Sequence, residues 1–173
     1  MVSNHQSFLD TLLLGSVWPR KVVPIGKREI GFIPVIGWWF VGCGARLINR
    51  SKQQEAKSIL ERQIKFIHAG YGIGITPEGT RNKKGKGLLP FKKGAFHLAI
   101  QAQVPLIAFV VAPLSKVAHW ESKTLNKAQI PIEVLPPFST AGLTEKDVEA
   151  LMNQVRTQME EALVRLEAEI VLK

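Results

Sequence analysis

The sequence predicts an α/β fold: a single domain over residues 1–173, with a mainly parallel central sheet flanked by helices. Three observations carry this. Apolar residues switch repeatedly between a two-residue and a 3.6-residue period along the chain. The segments 72–76, 104–112 and 132–135 are short and almost continuously apolar, as strands buried on both faces are. Amphipathic stretches separate most of these segments, and strand–helix alternation of this kind builds parallel sheets. With 173 residues, 46% of them apolar, the chain is long enough for one real core.

Taken in order, Leu9, Leu12, Leu13 and Val17 predict a helix begun by Ser7. Residues 31–41 read as a very apolar helix or a turn-rich hairpin. A short strand is expected at 45–48. An amphipathic helix follows over 52–68, through Ala56, Ile59, Leu60, Ile64 and Ile67. A buried strand at 72–76, a helix at 93–102, and strands at 104–112 and 132–135 come next, the last ended by Pro136 and Pro137. The final helix has a start signal: Thr144 and Asp147 as a capping-box variant, with Leu143 and Val148 as the hydrophobic staple. Val148, Leu151, Met152, Val155, Met159, Leu163 and Leu166 supply its buried stripe.

Charge is distributed unevenly. Residues 1–140 carry 19 basic and 7 acidic side chains; residues 141–173 carry 4 basic and 7 acidic. The larger part should therefore meet an anionic partner such as a phosphate, a phospholipid or a nucleic acid. No zinc spacing, recognition-helix pattern or aromatic RNA-binding signature accompanies the charge, so nucleic acid is not the expected partner. One cysteine, Cys43, excludes a disulfide framework and suits a reducing compartment. The longest hydrophobic stretch, 31–44, carries no charge but is too short to span a bilayer and contains Pro34. No signal peptide is expected before Ser3-Asn4-His5-Gln6.

Chemistry is suggested first by Asn4-His5-Gln6-Ser7-Phe8-Leu9-Asp10. Positions five apart point away from each other inside one helix. His5 and Asp10 can meet only if His5 sits on the turn before the helix and Asp10 lies in its first turn. A carboxylate on one ring nitrogen then fixes the tautomer, and the other nitrogen can take a proton from an alcohol. Ser7-x-x-Asp10 also reads as a plain capping box, and the pattern by itself does not choose between the two.

Thr76-Pro77-Glu78-Gly79-Thr80-Arg81 ends the apolar strand in a tight loop. Arg81 there can grip a phosphate through two donors, which lysine cannot. Glu78 is expected to orient Arg81 or a substrate hydroxyl. Arg81, Lys83, Lys84, Lys86, Lys92 and Lys93 follow with no anion among them, a solvated basic run suited to an anionic lipid surface. Arg46 and Arg50 flank the 45–48 strand on one face and are a second candidate anion site, or simply surface arginines. Adjacent tryptophans cannot both face inward on a regular element. Trp38, Trp39 and Phe40 are therefore candidates for lipid, acyl-chain or core contact.

There is no Gly-x-Ser-x-Gly nucleophile elbow and no phosphate-binding Walker loop. His5, His68, His97 and His119 lack metal-ligand spacing, so no metal is expected. Cys43 lies in an apolar stretch and reads as packing. A covalent acyl-enzyme is not expected.

Together these segments resemble the lysophosphatidate acyltransferases, the 1-acylglycerol-3-phosphate acyltransferase family. The run from Asn4-His5 to Asp10 matches that family's His-x4-Asp motif. Gly44-Ala45-Arg46-Leu47-Ile48-Asn49-Arg50 looks like its second motif, with Asn49 where aspartate is common. Glu78-Gly79-Thr80-Arg81 matches the third, and Val104-Pro105-Leu106-Ile107 looks like the fourth. The resemblance implies His5 as base, supported by Asp10. It places Glu78, Gly79, Thr80 and Arg81 in the acceptor site, with Arg46 and Arg50 assisting. It implies acyl-CoA or acyl carrier protein as donor, lysophosphatidic acid as acceptor and phosphatidic acid as product, with no cofactor. Another lysophospholipid or a lyso-aminolipid is the alternative acceptor. A basic, non-catalytic membrane or nucleic-acid binding module is the alternative from another class. The expected location is the cytoplasmic face of a membrane, the inner membrane of a bacterium, held peripherally or monotopically. Members of the family usually carry a strand and an N-terminal segment before the histidine. Only Met1-Val2-Ser3 precede it here, so a truncated start, a missing strand and a frayed His5 are expected.

Overall fold

The computed structural model describes residues 1–7, 9–17, 19–42, 44–48, 53–82, 87–114, 117–119 and 124–172. In chain order the elements are β1 (Val2–Ser3), α1 (Leu9–Val17), β2 (Val22–Lys27), a 3-10 turn (Arg28–Phe32), α2 (Ile36–Gly42), β3 (Arg46–Ile48), α3 (Gln53–His68), β4 (Gly72–Gly74) and α4 (Gly94–Ala102). Then come β5 (Ala108–Val111), β6 (Ala118–His119), β7 (Thr124–Leu125), β8 (Ala128–Gln129), β9 (Ile132–Val134), a 3-10 turn (Glu145–Asp147), α5 (Val148–Ala168) and β10 (Val171–Leu172). The α/β class is as predicted. The chain forms two compact units, Met1 with Pro19–Ile75, and Val2–Trp18 with Thr76–Lys173.

The first unit holds a three-stranded parallel sheet in the order β3-β2-β4. Each crossover runs through a helix, as parallel pairing requires. The apolar pattern did not announce the central strand β2, because Pro24 and Gly26 interrupt it. Its first half pairs with β4 (Val22 to Gly72, Val23 to Ile73, Pro24 to Gly74) and its second half with β3 (Ile25 to Arg46). Pro24 thus sits where pairing passes from one neighbour to the other. Phe40 is buried and its ring lies over Gly26, where a Cβ would stand 3.0 Å from it. Gly37 lets α2 approach the preceding turn: a Cβ there would fall 2.5 Å from the Gly31 carbonyl oxygen.

The second unit is built on the sheet β1-β5-β9, with β1 parallel and β9 antiparallel to β5. So the expected single central sheet is realised as two three-stranded sheets, one all parallel and one mixed. All four residues of β5 are buried, which explains their unbroken apolar run. α5 covers β5 with Leu151, Val155, Met159, Leu163 and Leu166 and packs beside α4. Its start is as predicted: the Asp147 carboxylate accepts the Thr144 N–H at 2.8 Å and the Thr144 hydroxyl at 2.8 Å.

Two N-terminal expectations, the missing strand and the frayed histidine, are corrected. Val2 and Ser3 do form a strand, in register with Ala108 and Phe109. Val2, Ser3 and Asn4 are essentially buried, so the segment before the histidine is anchored rather than frayed.

Candidate active site

β1 delivers Asn4 and His5 to the end of β5, and Asn4 secures them. Its side-chain amide donates to the Val111 carbonyl at 2.9 Å and its side-chain oxygen accepts the Val111 N–H at 2.9 Å. The pair mimics one more rung of the sheet beyond Ser3. Asn4→Ala would leave both Val111 groups unpaired in the interior. It should lower the unfolding free energy by about 2 kcal/mol or more, read from urea denaturation; a loss under 0.5 kcal/mol would mean that water replaces the amide.

His5 then meets the start of α1. Ser7 is the cap, its hydroxyl accepting the Leu9 N–H at 3.3 Å, and Asp10 lies in the first turn. One oxygen of Asp10, Oδ2, accepts the Gln6 N–H, the Ser7 N–H at 2.7 Å and faces His5 Nδ1 at 3.4 Å. The two readings of this motif are therefore both realised, on a single atom. Asp10 caps the helix and, by the same geometry, orients the imidazole. Its side chain is 2% exposed and that of His5 is 21% exposed. With the proton on Nδ1, directed at Asp10, His5 keeps an unprotonated Nε2.

The loop after β4 holds the His5 main chain from both sides. Glu78 Oε1 accepts the His5 N–H at 2.8 Å, and the Asn82 N–H donates to the His5 carbonyl at 2.7 Å. Glu78 Oε2 accepts the Leu89 N–H at 2.9 Å, and the Asn82 amide donates to the Gly87 carbonyl at 2.9 Å. Gly79 makes the turn possible, with φ at +70° and its N–H on the Thr76 carbonyl. Glu78 is 3% exposed. Burial pushes its carboxyl above the usual glutamate range. The N–H groups of Leu89 and His5 and the charge of His5 oppose that shift, while the charge of Asp10 adds to it. Both carboxylate oxygens thus accept main-chain donors, where the sequence suggested Arg81 or a substrate hydroxyl as partner.

His5, Asp10, Glu78, Gly79, Thr80 and Arg81 all belong to the second unit. Arg81 is exposed and immediately precedes the residue bonded to the His5 carbonyl. Arg46 belongs to the first unit, where its guanidinium lies 4.6 Å from the centre of the Phe66 ring. Trp38 is 73% exposed on α2. Phe40, grouped with it as a lipid or acyl-chain contact, is instead core of the first unit; on a helix, residues two apart do not share a face. Arg50, Lys83, Lys84, Lys86 and Cys43 lie outside the described residues, as does the side chain of Trp39. Lys92 is exposed, and Lys93 pairs with Glu149. Asn4 and Asn82 are the residues the sequence reading missed as site components. Their contacts run to the main chain of Val111, His5 and Gly87, which no local pattern announces. The one available signal was a polar Ser3-Asn4 pair directly before the histidine.

The chain is similar to known proteins over most of its length. A family model described as Acyltransferase matches residues 1–112. The chain is 39% identical over 160 residues to human 1-acyl-sn-glycerol-3-phosphate acyltransferase alpha, covering 92% of this chain and 56% of that protein. It is 32% identical over 170 residues to the 1-acyl-sn-glycerol-3-phosphate acyltransferase of Salmonella typhimurium, covering 98% of this chain and 68% of that protein. The fold matches the crystal structure of the 1-acyl-sn-glycerophosphate (LPA) acyltransferase PlsC from Thermotoga maritima with a TM-score of 0.72 at 23% identity, over 94% of this chain and 64% of that one. The chain spans little more than half the length of the yeast and human relatives it matches.

Proposed function

We propose a reaction from one premise: the chain belongs to the acyltransferase family. The reaction is transfer of a fatty acyl group from acyl-CoA or acyl carrier protein to the free hydroxyl of 1-acylglycerol-3-phosphate, giving phosphatidic acid for phospholipid synthesis. The observation that carries it is the His5 imidazole bound through Nδ1 to Asp10, with the His5 main chain clamped between Glu78 and Asn82. A ring fixed in this way presents Nε2 to an acceptor hydroxyl. As the hydroxyl oxygen attacks the thioester carbonyl, its proton passes to Nε2, and Asp10 stabilises the imidazolium. Collapse of the tetrahedral intermediate expels the thiolate, which takes the proton back. A thioester is already activated, so neither a metal nor an acyl-enzyme is required.

Arg81 holds the phosphate of the acceptor. Glu78, Gly79 and Thr80 shape the loop that carries it. The reaction takes place at the cytoplasmic face of a membrane, where the basic surplus of residues 1–140 draws the protein to anionic lipid. None of the described helices is long and apolar enough to cross a bilayer.

The test is transfer from labelled acyl-CoA to lysophosphatidate, with a lysophospholipid lacking the terminal phosphate in parallel. Arg81→Ala should raise KM for lysophosphatidate by about tenfold or more, the worth of a charge-assisted bidentate contact, with a smaller change in kcat. Equal loss on both acceptors would place Arg81 elsewhere in the mechanism and reopen the choice of head group.

A further inference from the structure

Among the described residues, half of the exposed large apolar side chains fall within ten residues of the first unit. Phe32 is 75% exposed, Ile33 45%, Val35 70%, Trp38 73% and Val41 56%. Trp38 and Val41 stand three apart on α2 and share one face. Val35, just before α2, has φ at +66°. A β-branched residue in the left-handed region is strained, and nothing in water rewards holding a valine there. Val41 also lines an open cleft of about 620 Å³, together with Lys21, Arg46, Phe66 and Tyr71.

The cleft has an unusual electrostatic make-up. The Phe66 and Tyr71 rings stack at 4.1 Å with 18° between their planes. Arg46 lies over the Phe66 ring at 4.6 Å and Lys21 over the Tyr71 ring at 6.0 Å. Each ring thus stacks on the other and also has a cation beside it. A ring positions a cation without neutralising it. No carboxylate lines the cleft among the described residues, and Glu29 is the one acidic residue in 19–48, against Arg20, Lys21, Lys27, Arg28 and Arg46. The two cations are held on two different rings of the stack. An array of phosphates fits them better than a single small anion.

We propose that this surface docks on an anionic phospholipid bilayer. Phe32, Val35 and Trp38 enter the interfacial layer, and Lys21 and Arg46 take neighbouring lipid phosphates. The proposal rests on the reading that the substrate is a membrane lipid, and it assigns the contact to the first unit. It is tested by flotation, without substrate, on phosphatidylcholine vesicles with and without phosphatidylglycerol. The protein should bind the anionic vesicles, and Phe32→Ser combined with Val35→Asn should weaken binding tenfold or more. That double variant should keep its transfer rate on detergent-dispersed acceptor. Lys21→Gln should weaken binding several-fold on anionic vesicles only, since each exposed cation is worth about fivefold in affinity. Val35→Asn alone should raise Tm, because asparagine tolerates the left-handed region. Undiminished vesicle binding by the double variant would overturn the proposal. So would displacement by millimolar inorganic phosphate, which marks a single-anion site, or a dimer in sedimentation that the double variant abolishes, which makes a second copy the occupant. Intact vesicle binding with no acyl transfer would sink the reaction instead and leave the docking surface standing.

Discussion

His5→Ala will slow acyl transfer by about 10²–10⁴-fold, the usual worth of a positioned general base, while leaving the fold in place. The second half of that expectation comes from the geometry. The His5 main chain, not its ring, is bonded to Glu78 and Asn82. The ring is 21% exposed, and its polar contact among the described residues is the 3.4 Å approach to Asp10. Removing it leaves Asp10 with its two main-chain donors, Gln6 and Ser7. Initial rates at saturating donor should therefore collapse with little change in Tm. Asp10→Ala should behave differently. It strips a buried acceptor from two main-chain N–H groups at the start of α1, so rate and stability should fall together. A His5→Ala variant within threefold of wild type would remove histidine from the mechanism, whatever its effect on stability.

The contrast shows which parts of the site could be read in one dimension. His5 and Asp10 were legible because a helix start is a local event: Ser7 as cap fixes where residue 10 points relative to residue 5. The loop 78–81 was legible because proline and glycine punctuate it. The long helices α3 and α5 were legible because their apolar residues repeat with the helical period. What holds the histidine was not legible. Asn4 reaches Val111, 107 residues away, and Glu78 reaches His5, 73 residues away. Such side-chain to main-chain bonds depend on tertiary register, and an isolated asparagine or glutamate carries no mark of them. β2 escaped for the opposite reason. Its local signal is poor, with Pro24 and Gly26 in a six-residue strand, and its place in the sheet comes from two flanking partners. Phe40 was misplaced because an apolar run lacks phase: Trp38 and Phe40 lie two apart, so one is 73% exposed and the other 8%.

Glu78 gives the most demanding expectation, because its motif suggests acceptor binding and its geometry suggests support. Both carboxylate oxygens accept main-chain N–H groups, from His5 and from Leu89. Glutamine can satisfy only one of them and must turn its own N–H2 toward the other. Glu78→Gln should therefore cost about 1–3 kcal/mol, the penalty for an unsatisfied buried donor, and should lower kcat by misplacing His5. The cost should also depend on pH. Burial raises the folded-state pKa of Glu78 above its ordinary 4.5. A raised pKa means that the folded protein holds this proton more tightly, so the stabilisation is complete below pH 4.5 and fades as pH rises through the folded value. Glutamine does not titrate. The stability gap between wild type and Glu78→Gln should thus be widest near pH 4.5 and narrow toward neutrality, as followed by urea denaturation across that range. If Glu78 instead bonds the acceptor directly, the variant will show a raised KM for lysophosphatidate, an unchanged denaturation midpoint and a gap that does not move with pH. The two outcomes differ in every readout, because a carboxylate whose oxygens are both committed to the main chain acts on substrate only through the histidine it holds.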